Sequence, residues 1–235
     1  MILIKYFGNG LSELHKELNA VIRKKVKLNE AKELFLDLHA KLHLSVVSGT
    51  ELNEVDALLN DLVPYEYSVM PTSKDETIAW VLWHIARIED LTMGILVAES
   101  EQLFDSTWKK QIHTPISDTG NALSDDEIIE LSELLDIDNL LNYRNAVGCR
   151  TREIVKLLTV NDMKRKVNRK GLEIIKRTGG VTDQKEFEWL LDFWGKKDIA
   201  GILLMPPTRH VILHLNDCCK WKRHIREGKK YFRTI

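Results

Sequence analysis

Along most of the chain, apolar residues return at steps of three and four, the spacing that places side chains on one face of an α-helix. The pattern is clear over residues 29–47 and strongest over residues 76–98. It is carried by Leu34, Phe35, Leu38, Leu42 and Val46 in the first segment and by Val81, Ile85, Ile88, Thr92 and Ile95 in the second. Asp75 has the side chain of an N-cap. We therefore predict a long helix over each segment, the second beginning after Asp75.

The other segments before residue 136 predict shorter helices and one long loop. Residues 11–28 are weakly amphipathic, and a short helix opens at residues 50–53 and ends near Pro64. Residues 104–122 have no clear period, which predicts a loop with one short helix. Ser124 and Glu127 have the spacing of a capping box, so a helix is expected from there to about residue 135.

The C-terminal part is also predicted to be helical, in pieces of different length. Asp138 opens a helix that reaches Leu158, short basic helices follow over residues 161–176, and Asp183 opens a helix to about Gly195. A further turn is expected over residues 199–204. Met205-Pro206-Pro207 predicts a stop, because proline cannot donate a helical hydrogen bond. Thr208 is then the expected cap of a last helix through Arg226.

The chain has no alternating strand pattern, internal repeat or low-complexity linker. This predicts an all-α fold, a helical bundle with additional short helices in a single domain. We divide it into an N-terminal extension that packs on the bundle (1–28), the helical bundle (29–226) and a basic C-terminal tail (227–235).

Composition narrows the functional classes only slightly. The 235 residues are 44% hydrophobic and 29% charged, with a net charge of -1, so no global charge favours nucleic acid or an acidic membrane. No apolar run has the roughly 18–20 residues of a membrane span. Three cysteines do not make a disulfide framework, and the N-terminus is a poor signal peptide. A cytoplasmic protein with a small-molecule substrate is expected, and six tryptophans allow a homodimer.

The histidines carry the candidate chemistry. Two pairs, His39/His43 and His210/His214, have the four-residue spacing that lets both imidazoles reach one cation from a regular helix. His84 lies on the inward stripe of the most apolar helix, and a buried imidazole needs hydrogen-bond partners or a metal. A three-histidine site would leave coordination positions open, which suits catalysis. Satisfied core histidines are the alternative for each pair and for His84.

The segments WVLWHIARIED (80–90) and HVILH (210–214) together resemble the DinB/YfiT-like metalloenzyme family. LSDDE (123–127) and LLNYRNAVG (140–148) are similar to the third-helix region of that family, and the resemblance covers roughly residues 29–226. It implies a DinB/YfiT-like four-helix bundle with additional short helices. It also implies a divalent metal ion, usually nickel or zinc, held here by His84, His210 and His214. Family members of known activity include thiol S-transferases and a thiol-dependent isomerase.

Several neighbouring residues have more than one interpretation. For His39 and His43 the alternatives are further metal ligands, groups that contact the ligands or the substrate, and structural residues. Arg87 binds an anionic substrate group or pairs within the protein. Asp217 orients a ligand imidazole or pairs at the surface with Lys220.

Acidic and sulfur side chains near the histidines are the remaining candidates. Glu89 and Asp90 could balance charge at a metal, although Glu89 is expected to be solvated or ion-paired. Cys218 and Cys219 are expected to be packing residues rather than reactive thiols.

Basic residues form two further patches. The run Lys220–Arg226 continues through Lys229 and Arg233. Its structural interpretation is that basic residues at the C-terminus of a helix interact favourably with the helix dipole. The second patch, Lys164–Lys170, is either solvated helix or a binding surface for an acidic cosubstrate such as a carboxylated thiol.

Three functions follow from these alternatives. The first is a metal-dependent enzyme of the DinB-like type that activates a thiol or water for transfer or hydrolysis, with a low-molecular-weight thiol as a candidate substrate. The second is a metal-binding or stress-response module without turnover. The third is a nucleic-acid-binding helical protein with structural histidines, which the balanced charge makes a weak alternative.

Overall fold

The computed structural model describes residues 7–182, 184, 189–228 and 230–232. Over these residues the chain is helical, and no β-strand occurs; one antiparallel bridge joins Lys166 and Asp198. The helices are α1 (Leu11–Val21), α2 (Leu28–Ala40), α3 (Glu54–Leu59), α4 (Pro64–Ser68), α5 (Ile78–Asp90), α6 (Ser106–Gln111), α7 (Asp125–Leu134), α8 (Ile137–Leu157), α9 (Arg169–Arg177), α10 (Trp189–Gly195), α11 (Ile199–Leu203) and α12 (Val211–Arg226). The all-α prediction is confirmed.

Helix α5 is the centre of the molecule. Every one of its residues is buried, because it is apolar on almost all sides and its few polar groups find partners inside the protein. Helices α8 and α12 pack against α5, and α2 packs against α8. These four long helices form the predicted bundle, and the shorter helices surround it.

The start of α5 differs from the prediction. The cap is Thr77 rather than Asp75, since the Thr77 hydroxyl accepts a hydrogen bond of 3.1 Å from the backbone N–H of Trp80. The Asp75 carboxylate instead accepts from the Thr72 hydroxyl in the preceding turn. The capping box of α7 is confirmed, with the Glu127 carboxylate 2.7 Å from the Ser124 backbone nitrogen.

The predicted stop at Met205-Pro206-Pro207 is wrong. Residues Met205–His210 form a π-helical segment that continues directly into α12. The prolines lie in its first turn, where backbone N–H groups have no acceptor within the helix, so the absence of an N–H in proline breaks no helical hydrogen bond. Thr208 is not a cap but is buried, and its hydroxyl donates to the Leu203 carbonyl at 2.8 Å. His210 and His214 therefore lie on one uninterrupted helical segment.

The helix predicted over residues 29–47 ends early, at Ala40. His43 lies in the turn that follows, and a short 3₁₀ turn, Ser45–Val47, comes next. Val46, expected on the inward stripe, is 70% exposed. The regular helix thus ends between His39 and His43, so only tertiary contacts can bring their imidazoles together.

Pro64 begins α4 rather than ending the preceding helix, as proline at a first helical position often does. The segment 104–122 contains α6 in an otherwise irregular stretch, as predicted. The expected helix start at Asp183 lies outside the described residues, as do residues 1–6 of the N-terminal extension and Lys229 and Arg233 of the tail. Helix α1 packs against α2. Within the described residues, no helix combines the length and apolar character needed to cross a bilayer.

Candidate metal centre

Three histidines from two distant parts of the chain meet at one point, and we call them the triad. His84 comes from the middle of α5, His210 ends the π-helical segment, and His214 lies one turn further along α12. The Nε2 atom of His210 is 3.1 Å from that of His84 and 3.1 Å from that of His214. The predicted metal ligands thus come together through their equivalent ring nitrogens.

The outer nitrogen of His84 has a backbone partner. Its Nδ1 donates to the carbonyl oxygen of Thr119 at 2.8 Å, so the proton lies on Nδ1 and the Nε2 lone pair faces the other two rings. The ring of Trp80 stacks on that of His84, with centroids 4.5 Å apart and planes 12° from parallel. Metal-binding histidines commonly donate their second N–H in this manner. His84 is therefore held in the tautomer and orientation that a metal ligand needs.

The Thr119 carbonyl belongs to an extended stretch docked on α5. Four successive carbonyl oxygens accept hydrogen bonds from side chains on one face of α5: Ser117 from Arg87, Asp118 from Trp83, Thr119 from His84 and Gly120 from Trp80. Gly120 has a φ of +75°, and a Cβ there would lie 2.8 Å from the Trp80 indole nitrogen. The sequence predicts only a loop here, because backbone carbonyl acceptors have no side-chain signature that would indicate their role.

The electrostatics of the triad favour uncharged imidazoles. Burial, and secondarily the neighbouring His214, lowers the pKa of His84 to about 3. Burial also lowers the pKa of His210 well below its usual value. It lowers the pKa of His214 as well, although the negative charge of Asp217 acts in the opposite direction. Each ring therefore has one nitrogen lone pair available for coordination at neutral pH.

The triad fits a divalent cation. Metal–nitrogen bonds of about 2.0–2.1 Å require the three ligand atoms to lie roughly 3–3.5 Å apart. The two Nε2 separations from His210 are 3.1 Å, and all three ligand atoms lie within 4.8 Å of one another. One proton on His210 Nε2 cannot serve both contacts well, and His210 Nδ1 is buried with no hydrogen-bond partner among the described residues. A bound cation would accept the Nε2 lone pair of each of the three histidines, and these nitrogens would otherwise face one another without enough protons to pair them.

The predicted neighbours His39 and His43 lie elsewhere, in a group with Glu89 that we call the Glu89 cluster. The Nε2 atoms of His39 and His43 are 2.9 and 3.1 Å from the two carboxylate oxygens of Glu89. The side chains of both histidines are fully buried, and Glu89 is almost fully buried. Glu89 is thus ion-paired rather than solvated, and its bonds bring His43 beside His39 although the helix ends between them.

The Glu89 cluster has a balancing cation and a fixed proton arrangement. Arg144 is fully buried, donates to the Leu42 carbonyl and interacts electrostatically with Glu89. The two imidazoles hold the pKa of Glu89 well below its usual value despite its burial, and burial lowers the pKa of His43 to about 3. Since a carboxylate only accepts, the histidines donate from Nε2, and their buried Nδ1 atoms have no hydrogen-bond partner among the described residues.

Arg87 and Asp217 both have partners within the protein. Arg87 is fully buried and donates to Asp90, Tyr143 and the Ser117 carbonyl, so its guanidinium anchors the docked stretch instead of facing an anionic ligand. Asp217 forms the surface ion pair with Lys220, at 2.7 Å, and does not hydrogen-bond a triad imidazole.

Cysteines and basic residues of α12 are occupied in packing and internal pairing. Cys218 and Cys219 are buried, and burial raises the pKa of the Cys218 thiol. Lys222 is almost fully buried and pairs with Asp61, while Arg226 pairs with Asp61 and Glu66. The C-terminal basic run is thus partly neutralised within the fold.

A cavity of about 160 Å³ borders the triad at His84 and His210. Asn121 is the other polar residue among the described residues that line it. The remaining lining is apolar and comes mainly from α5, α10 and the π-helical segment: Ile88, Trp189, Leu190, Phe193, Trp194, Met205 and Pro206.

The chain matches the model of a known protein family. The model of the DinB superfamily matches residues 50–195, well over half of the chain. The matched range includes His84 and the docked stretch but ends before His210 and His214, whose place in the triad rests on the geometry above. No curated protein matches the chain.

Proposed function

The chain belongs to the DinB superfamily, and on this premise we propose that it is a metal-dependent enzyme that activates a thiol or water against a small-molecule electrophile. The observation that carries the proposal is the convergence of three neutral imidazole nitrogens, 3.1 Å apart in two of their contacts, beside a cavity. Nickel and zinc both suit three imidazoles. The reaction is S-transfer if the nucleophile is a thiol and hydrolysis if it is water.

The residues have separate roles in this proposal. His84, His210 and His214 would hold the cation, which when bound would act as a Lewis acid and lower the pKa of a thiol or water beside it. Three uncharged ligands leave the charge of the cation uncompensated, which strengthens that effect. Thr119 and Trp80 keep His84 in its coordinating tautomer. The apolar cavity excludes bulk water from the reacting atoms.

Elemental analysis of protein purified without an affinity tag tests the metal site. We expect about one divalent metal ion per chain, lost in His210→Ala and in His84→Ala. His224→Ala is the matched control, because His224 lies on the same helix and hydrogen-bonds the Lys230 carbonyl away from the triad. Metal retained in full by both triad variants would contradict the proposal.

Turnover separates an enzyme from a binding module. Metal-loaded protein should catalyse the reaction of small thiols with activated electrophiles, or the hydrolysis of activated esters or amides. The rate of this reaction should fall to background in His210→Ala. Stoichiometric metal without turnover across both substrate panels would favour the metal-binding module.

A further inference from the structure

We propose that the cavity beside His84 and His210 binds an uncharged, ring-sized apolar group of the substrate, oriented by a single hydrogen bond from Asn121. This inference rests on the proposed function, since it names the class of molecule that the triad would act upon. Its support comes from the size of the cavity, its lining and the bonding of Asn121.

The volume sets the size of the group. A dry cavity of about 150 Å³ with an apolar lining holds one benzene molecule, and this cavity has about 160 Å³. Trp189, at its rim, is 52% exposed, whereas Trp194 and Pro206 are buried. A single ring therefore fits inside, and a larger substrate would extend outward past Trp189.

The lining sets the charge. Apart from the two histidines, none of the described residues that line the cavity is ionisable. In the metal-free protein, a carboxylate placed there would lose its hydration without gaining a cationic partner, which is strongly unfavourable. The basic patch Lys164–Lys170 does not supply a partner, because none of its residues lines the cavity. The side chains that line the cavity thus favour an uncharged group.

Asn121 sets the orientation. Its Oδ1 accepts a hydrogen bond of 2.6 Å from the Thr119 hydroxyl, so the amide nitrogen is the donor it can offer to a ligand. The carbonyl of the same Thr119 accepts from His84. One residue of the docked stretch therefore positions both the metal ligand and the group that would contact the substrate, which couples the orientation of the ring to the reacting centre.

Calorimetric titration of the metal-free protein tests the cavity separately from the metal site. The probes are benzyl alcohol, toluene and benzoate. We expect benzyl alcohol to bind and benzoate to bind at least tenfold more weakly. Equal or tighter binding of benzoate, or no binding of either neutral probe, would overturn the inference, while the metal analysis above is unaffected by either result.

Two variants locate the binding. Met205→Trp, which fills the cavity, should abolish binding of both neutral probes. Asn121→Leu should weaken benzyl alcohol by about three- to tenfold, the usual worth of one hydrogen bond, and leave toluene unchanged. A circular dichroism spectrum and a urea denaturation midpoint equal to those of the wild type are the check that each variant is folded. Benzyl alcohol binding that survives Met205→Trp, or equal losses for both probes in Asn121→Leu, would contradict the assignment.

Discussion

The triad and the Glu89 cluster both place histidine side chains against α5, on different faces of that helix, but the partners of the ring nitrogens differ. Both contain two histidines four residues apart in sequence. In the triad the Nε2 atoms face one another, and no carboxylate of the described residues bonds them. In the Glu89 cluster each Nε2 atom donates to a carboxylate oxygen. The difference therefore lies in what the nitrogens meet, which the four-residue spacing does not specify.

The outer nitrogens differ between the two groups, although both groups have a geometry that could hold a cation. His84 places its proton on Nδ1 because the Thr119 carbonyl accepts it there, which frees Nε2. In the Glu89 cluster, freeing both Nε2 atoms would move protons to two buried Nδ1 atoms that have no acceptor among the described residues, whereas in the triad His210 alone has such an Nδ1. A buried, unpaired N–H costs about 1–3 kcal/mol. Arg144 adds a positive charge that already compensates Glu89.

The largest expected effect is on the Glu89 cluster. Glu89→Ala should lower the free energy of unfolding by about 3–5 kcal/mol, because it leaves the buried charge of Arg144 uncompensated. Urea denaturation of the metal-free protein measures the loss. The exposed pair gives the control, since Asp217→Ala should change stability by less than about 1 kcal/mol. Loss of metal from folded Glu89→Ala, with full retention in His210→Ala, would reverse the assignment of the two groups.

The next effect is on the triad, through metal binding. Zinc at a thousandfold excess over its Kd should raise the free energy of unfolding by about 4 kcal/mol, because the ion binds the folded chain. The increment should disappear in His210→Ala and persist in His39→Ala. Paired denaturation curves with zinc and with chelator measure it. An increment lost in His39→Ala but kept in His210→Ala would assign the site to the Glu89 cluster.

A smaller effect is expected from the docked stretch. Gly120→Ala should weaken metal binding by roughly 10- to 100-fold, the usual effect of disturbing partners of ligand histidines. The added Cβ would lie 2.8 Å from the Trp80 indole nitrogen, beneath the His84 ring. Gly179→Ala is the matched control, because φ is +68° there and no atom lies within 4 Å of an added Cβ. Competition with a chromophoric chelator measures both affinities, and equal losses would show that backbone strain alone is responsible.

The smallest effect is the contribution of His43 to the pH dependence of stability. Burial lowers the pKa of His43 to about 3 in the folded protein, against about 6.5 in the unfolded chain. Below pH 6.5 the unfolded state binds a proton that the folded state does not, so stability falls as pH falls. From pH 6.5 to 5.5 this histidine accounts for about 1 kcal/mol. The metal-free His43→Gln variant should lose that much less than the wild type, and parallel stability profiles would contradict the assignment.

Much of the fold could be predicted from local pattern. The apolar stripe over residues 76–98 predicts the central helix, which includes α5, and the Ser124/Glu127 spacing predicts the start of α7, because both depend on neighbours within one or two turns. His84 could be placed inside the protein for the same reason. The ends of helices were harder to predict, as Thr77 and Pro206 illustrate, since competing caps and first-turn prolines are resolved by packing around them.

The sequence by itself determined an all-α chain, an inward His84 and two histidine pairs with suitable spacing for a cation. Only the tertiary structure decided which pair meets His84, because that depends on α12 reaching α5 through the continuous turn at Met205–His210. It also decided which nitrogens keep their lone pairs. The ring protons are placed by hydrogen bonds to Thr119, 35 positions from His84, and to Glu89, 50 and 46 positions from its two histidines. No local periodicity encodes contacts at that range.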